Sequence, residues 1–149
     1  MMNHMLTGLA LLGLATTAAA EELPEVTVHH DPMCGCCKVW VDHLEAAGFE
    51  VDARPTDAMY EIKRELGVPE NLPSCHTAVV DGYVIEGHVP AADIKRLLEQ
   101  RPDAAGLAVP GMPLGSPGME VGDRRQEYQV ILFDEDGALS IFNHYAARN

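Results

Sequence analysis

Three of the four cysteines in this chain fall inside "MCGCC", at Cys34, Cys36 and Cys37, and the fourth, Cys75, stands alone. That spacing restricts what the chain can become. Cysteines so close together cannot tie remote segments to one another, so a disulfide scaffold would be an inefficient use of them. The fold must therefore rest on its own apolar core, and 149 residues are enough for one domain with such a core.

The run "MLTGLALLGLATTAAA" ends in small residues and is followed at once by Glu21 and Glu22. This is the apolar segment and A-x-A ending of a secretory signal, so residues 1–20 are expected to be cleaved after Ala20, leaving a domain over 21–149. Its n-region holds His4 but no Lys or Arg. Leu6 to Ala20 is too short for a retained anchor, which needs roughly 18 or more apolar residues, and no other segment could span a membrane. The chain carries 23 acidic against 10 basic residues, a net charge of −13. Nucleic acid and anionic lipid are poor partners for such a surface, because phosphate contacts need Lys and Arg patches. The charge alone speaks for solubility rather than for cation binding.

The local patterns give an order of elements. "EVTVHH" (25–30) alternates and is β-branched, which predicts a strand. Asp31-Pro32 turns the chain, and Trp40, Val41, Leu44 and Ala47 recur at helical spacing up to a stop at Gly48. A second strand is expected over "FEVDARP" (49–55). A helix capped by Thr56-Asp57 then carries Met59, Ile62 and Leu66, with Gly67 after it. "HTAVVDGYVIEG" (76–87) holds two strand-like runs around Asp81-Gly82, a strong hairpin signal. Pro90 opens a helix with Ile94, Leu97 and Leu98 on one face. The stretch 101–123, rich in Pro and Gly, is expected to lack regular structure. "EYQVILFDEDGALSIFNHY" (127–145) reads as a further hairpin around Asp136-Gly137, docked on the same domain because it could not fold alone. The expected class is α/β and thioredoxin-like: a central mixed sheet with flanking helices, a cysteine pair where the first strand enters the first helix, and an added C-terminal hairpin.

The helix start matters for the sulfurs. Unpaired backbone N–H groups and the positive end of the helix dipole favour thiolate over thiol. Cys34 and Cys37 also share a helix face at i, i+3. That much suits a redox pair. Cys36 does not, since a third thiol invites scrambling, whereas clustered thiolates suit soft metals. Cys75 stands just before the hairpin's first strand, where thioredoxin-like folds usually carry a cis-proline facing the redox pair. Here Pro73 lies two positions earlier, and Cys75 is expected near the other three sulfurs.

Taken together, "HDPMCGCCKVW", "LPSCHTAVVDGYVIEGHVPAADI" and "VPGMPLGSPGME" resemble the CopG-type family of periplasmic copper-resistance proteins over nearly the whole exported chain. The resemblance implies a thioredoxin-like fold and a copper site centred on Cys34, Cys36, Cys37 and Cys75. Met112 and Met119, in the tandem "PGM" motifs, offer thioethers that suit Cu(I), and serve as candidate ligands or as a lid on the site. Met33, next to Cys34, is near the site by sequence, and its direction stays open. His88, in a loop between hairpin and helix, is a candidate ligand. His76 should face away from Cys75 and act from behind the ligands. His43, seven residues past Cys36 and so roughly 10 Å along the helix, is expected at the surface. His29, His30 and His144 read as polar strand ends.

Three functions compete. The first is a periplasmic copper-binding resistance protein that holds Cu(I) on thiolates in a multinuclear cluster. It would interconvert Cu(I) and Cu(II) as a copper oxidoreductase, and its partners would be copper ions and other periplasmic copper-handling or efflux proteins. The second is a thiol–disulfide oxidoreductase with Cys34 attacking and Cys37 resolving. The third, structural zinc on four thiolates, is a closed site that a core of this size should not need.

Overall fold

A computed structural model describes residues 22–149; the expected signal segment lies outside them. Ten elements follow in order: β1 (Val26–His30), α1 (Gly35–Ala46), β2 (Val51–Pro55), α2 (Met59–Glu65), β3 (His76–Val80), β4 (Tyr83–Gly87), α3 (Ala91–Gln100), β5 (Gly106–Val109), β6 (Tyr128–Phe133) and β7 (Leu139–Tyr145). The strands form one mixed sheet in the order β2-β1-β3-β4-β5-β6-β7. Pairs β1–β2 and β4–β5 are parallel, joined through α1 and α3, and the remaining pairs are antiparallel.

Period-2 patterning sends alternate strand residues to opposite faces, and the faces are covered differently. Val26, Val28, Ala78, Val80, Ile85, Leu107 and Val109 pack against Trp40, Val41 and Leu44 of α1 and Ile94 and Leu97 of α3. On the other face, Val84, Ala108 and Phe133 meet Leu72, with Leu66 and Val68 at the end of α2. The chain thus forms a helix–sheet–helix layering with α1 and α3 together on one side. The Asp81-Gly82 turn has positive φ at both residues, 46° and 85°, as a two-residue type I′ hairpin requires.

One expectation is overturned here. Within the Pro/Gly-rich stretch 101–123, Gly106–Val109 forms β5, buried throughout and paired on both sides. A strand covered on both faces shows no polar alternation, so four apolar residues between glycines and prolines carry no periodic signal. β5 is also what joins the C-terminal hairpin to the domain, as a continuation of the same sheet. α3 secures that hairpin: Asp93 accepts from Asn143 Nδ2 (2.9 Å) and Tyr145 Oη (2.6 Å). Burial, with the same carboxylate adding to it, pushes the Tyr145 phenol well above its ordinary range.

Candidate metal centre

The centre lies where β1 runs into α1, at the edge of the layer formed by α1 and α3. Asp31 makes the tight turn the sequence predicts, its Oδ1 accepting Met33 N (2.7 Å) and its carbonyl accepting Cys34 N (3.0 Å). This leaves Cys34 as the N-cap of α1, its sulfur accepting the amide of Cys37 (3.3 Å). Cys34 and Cys37 are joined as a disulfide, whereas Cys36 and Cys75 are thiols. Cys36 Sγ stands 3.5 Å from Cys34 Sγ and 3.9 Å from Cys75 Sγ, bridging the helix start and a segment 39 residues away. All four sulfurs lie within 4.8 Å of one another.

Two histidines close the other side. His88 Nδ1 donates to the Pro117 carbonyl (2.7 Å), so its Nε2 is left as the bare nitrogen, 3.1 Å from Cys75 Sγ. His76 Nδ1 is 3.3 Å from the same sulfur. Its ring lies 4.3 Å from that of Trp40 and edge-on to His88 at 4.9 Å. The expectation that His76 faces away from Cys75 fails because β3 begins only at His76, so strand alternation does not govern the residue before it. His76 Nε2 has no hydrogen-bond partner, the one such buried side-chain N or O among the described residues.

Burial dominates the electrostatics. It pushes the Cys75 thiol up to about 11, helped by Cys36. It holds His76 well below the usual imidazole range, with His88 and Lys63 adding to the effect. His88 is lowered less, because the Pro117 carbonyl and Glu120 favour its charged form. Burial therefore favours the neutral forms of the Cys75 thiol and of the His76 and His88 imidazoles; the thiol would lose its proton on binding a soft cation, and a neutral imidazole can bind one directly.

The tandem PGM motifs dock on the two cysteine-bearing segments. Gly111 donates its amide to the Pro73 carbonyl (3.0 Å) and accepts Ser74 Oγ (2.5 Å), beside Cys75. Gly118 packs on α1: a Cβ there would stand 2.8 Å from the Cys36 carbonyl and 3.1 Å from His88 Nδ1, so only glycine allows this approach. Met119 is half-buried after it, while Met112 is 52% exposed and Met33 is 89% exposed. The peptide bond at Pro73, like all those described, is trans.

His43 departs from its expected place at the surface. It is half-buried, and its Nε2 accepts the amide of Ala91 (3.0 Å), satisfying the start of α3, where Pro90 has no side chain able to do so. Sequence reasoning also passed over Glu86, a fully buried acid. The signal was present: a single carboxylate inside the otherwise apolar "YVIEG" needs partners.

The donor set fits a soft metal. Sulfurs and imidazole nitrogens converge, one imidazole is oriented by a backbone carbonyl as metal-bound histidines are, and a buried nitrogen lacks a partner. Residues 72–119 match the family described as "Protein of unknown function, DUF411". No curated protein matches the chain. Two solved structures are similar along almost their entire length. The copper resistance protein CopG in form 1 is 51% identical over 84% of this chain and 99% of that one, with a TM-score of 0.80. Form 2 is 52% identical over 83% and 99%, also at 0.80. By this identity and coverage, the chain belongs to the CopG-type family of copper-resistance proteins.

Proposed function

We propose that this protein is a periplasmic copper-binding protein of the resistance type, exported by residues 1–20, with a thioredoxin-like domain over 21–149. The strand–helix–strand–helix–hairpin–helix order, with the C-x-x-C pair at the first strand–helix junction, supports that fold. Cu(I) would be held by Cys34, Cys36, Cys37 and Cys75 as a multinuclear thiolate cluster, with His88 as an imidazole ligand and Met112 and Met119 as thioether donors. The observation that carries the reading is Cys75: its sulfur meets Cys36 on one side and the bare Nε2 of His88 on the other.

Four thiolates become available only when the Cys34–Cys37 disulfide takes up two electrons to give two thiolates. That demand matches two one-electron oxidations of Cu(I), which is why interconversion of Cu(I) and Cu(II) belongs to the proposal. Delivery to, or receipt from, other periplasmic copper-handling or efflux proteins follows from the same role. The test is anaerobic titration of the fully reduced protein with Cu(I), counting bound metal and free thiols together. Absence of binding with all four cysteines reduced overturns the reading.

The disulfide itself favours the second reading, a thiol–disulfide oxidoreductase with Cys34 attacking and Cys37 resolving. That reading requires turnover of a mixed disulfide without metal, and near-neutral effects of Cys36→Ser and Cys75→Ser.

A further inference from the structure

The buried acid of β4 has no place in the metal centre, yet it is tied to it. Glu86 and its cross-strand neighbour Thr77 lie on the sheet face covered by α2, whereas His76 faces Trp40 on the opposite side. Glu86 Oε1 accepts Lys63 Nζ (2.5 Å) and the backbone amide of Ser74 (2.7 Å), and Oε2 accepts Thr77 Oγ1 (2.6 Å). Lys63 Nζ also donates to Thr77 Oγ1 (2.8 Å), so the cluster satisfies itself.

A buried ion pair is weak evidence of net stabilisation, because desolvation offsets its attraction. What sets this one apart is its third donor, the amide of the residue immediately before Cys75. Ser74 is gripped on two further sides. Its Oγ donates to the Gly111 carbonyl (2.5 Å), and its Cβ rests against Gly87, where a side chain would come within 2.6 Å. Glu86 is also two residues before His88, so one strand end carries both the clamp on Cys75 and the imidazole that Cys75 meets.

We propose that Glu86 is a positioning residue for Cys75: from behind the sheet, its carboxylate holds the Ser74 amide and so sets where the Cys75 sulfur meets Cys36 and His88. The inference rests on the reading of Cys75 as part of the metal site. Its test uses no metal, so it stands or falls separately from copper binding.

The metal-free protein with its Cys34–Cys37 disulfide closed is alkylated with iodoacetamide, and Cys75 and Cys36 are followed by peptide mass spectrometry. Loss of a hydrogen bond to a charged acceptor in Glu86→Ala should speed Cys75 alkylation by about tenfold while Cys36 changes by less than about threefold. Glu86→Gln, which retains an acceptor for the Ser74 amide, should keep Cys75 within about threefold of the parent. If Glu86→Ala does not fold by circular dichroism, Glu86→Asp answers instead. It keeps the charge beside Lys63 but falls one methylene short of Ser74, and should give the same rise confined to Cys75. An unchanged Cys75 rate, an equal rise at Cys36, or no rescue by Glu86→Gln overturns the proposal.

Discussion

At the scale of single residues, Cys36 is where metal binding and disulfide chemistry part company. Its sulfur is free and placed between Cys34 and Cys75, while its neighbours Cys34 and Cys37 are joined. Cys36→Ser is expected to lower the Cu(I) bound per protein without preventing closure of the Cys34–Cys37 disulfide. Anaerobic titration and a thiol count on the same sample check both halves; unchanged copper stoichiometry would sink the metal role of Cys36. His88 depends on tautomer rather than on distance alone, since the Pro117 carbonyl claims its Nδ1 proton and frees Nε2. His88→Gln should weaken Cu(I) affinity by about 10- to 100-fold, read by competition with a Cu(I) chelator.

At the scale of elements, the loop that follows β5 is held to α1 by a contact that tolerates no side chain. Gly118 has φ of 91° and leaves no room for a Cβ against the Cys36 carbonyl. Gly118→Ala is expected to cost about 1–3 kcal/mol through backbone strain and to loosen the Pro117 carbonyl from His88. Urea unfolding measures the first effect and Cu(I) competition the second. The start of α3 depends on a side chain from another helix, His43, so His43→Ala should cost about 1 kcal/mol as loss of a cap does. An unchanged urea midpoint would show that solvent caps α3 equally well.

At the scale of the whole molecule, two consequences follow. The main core packs the sheet against α1 and α3 around Trp40, Leu44, Ile94 and Leu97, none of which is a metal donor. Chelation should therefore leave the far-UV circular dichroism and the cooperativity of unfolding intact; collapse of the fold on chelation would favour a structural metal. The second concerns acid. Burial lowers the pKa of His43 and, with Arg54, that of His29. The unfolded chain therefore binds more protons than the folded one below the ordinary imidazole value of about 6.5. The stability these groups contribute is complete above that pH and is lost as pH falls from it through their folded values. The urea midpoint of the metal-free protein should fall from pH 7.5 to pH 5, and less steeply in His43→Gln.

Local order is legible in the chain itself. β-branched alternation, helical spacing and Asp-Gly turns act within a few residues, so β1 to α3 and both hairpins follow from the residues directly. The crowding in "MCGCC" likewise points to a chemical role for the sulfurs. Three features depend on segments far apart in sequence. β5 is buried on both faces, and a strand with no polar face has no period to detect. Cys75 meets Cys36 and His88 only because the β1–β3 and β3–β4 registers bring those segments to one end of the sheet. Glu86 looks misplaced in an apolar strand until α2 lays Lys63 over it and the Ser74 amide turns toward it. The elements and the donor types follow from the chain alone, because propensity and side-chain chemistry are local. Which donors meet, and in what state of protonation, was decided by tertiary packing, because desolvation and hydrogen-bond partners come from neighbours distant along the chain.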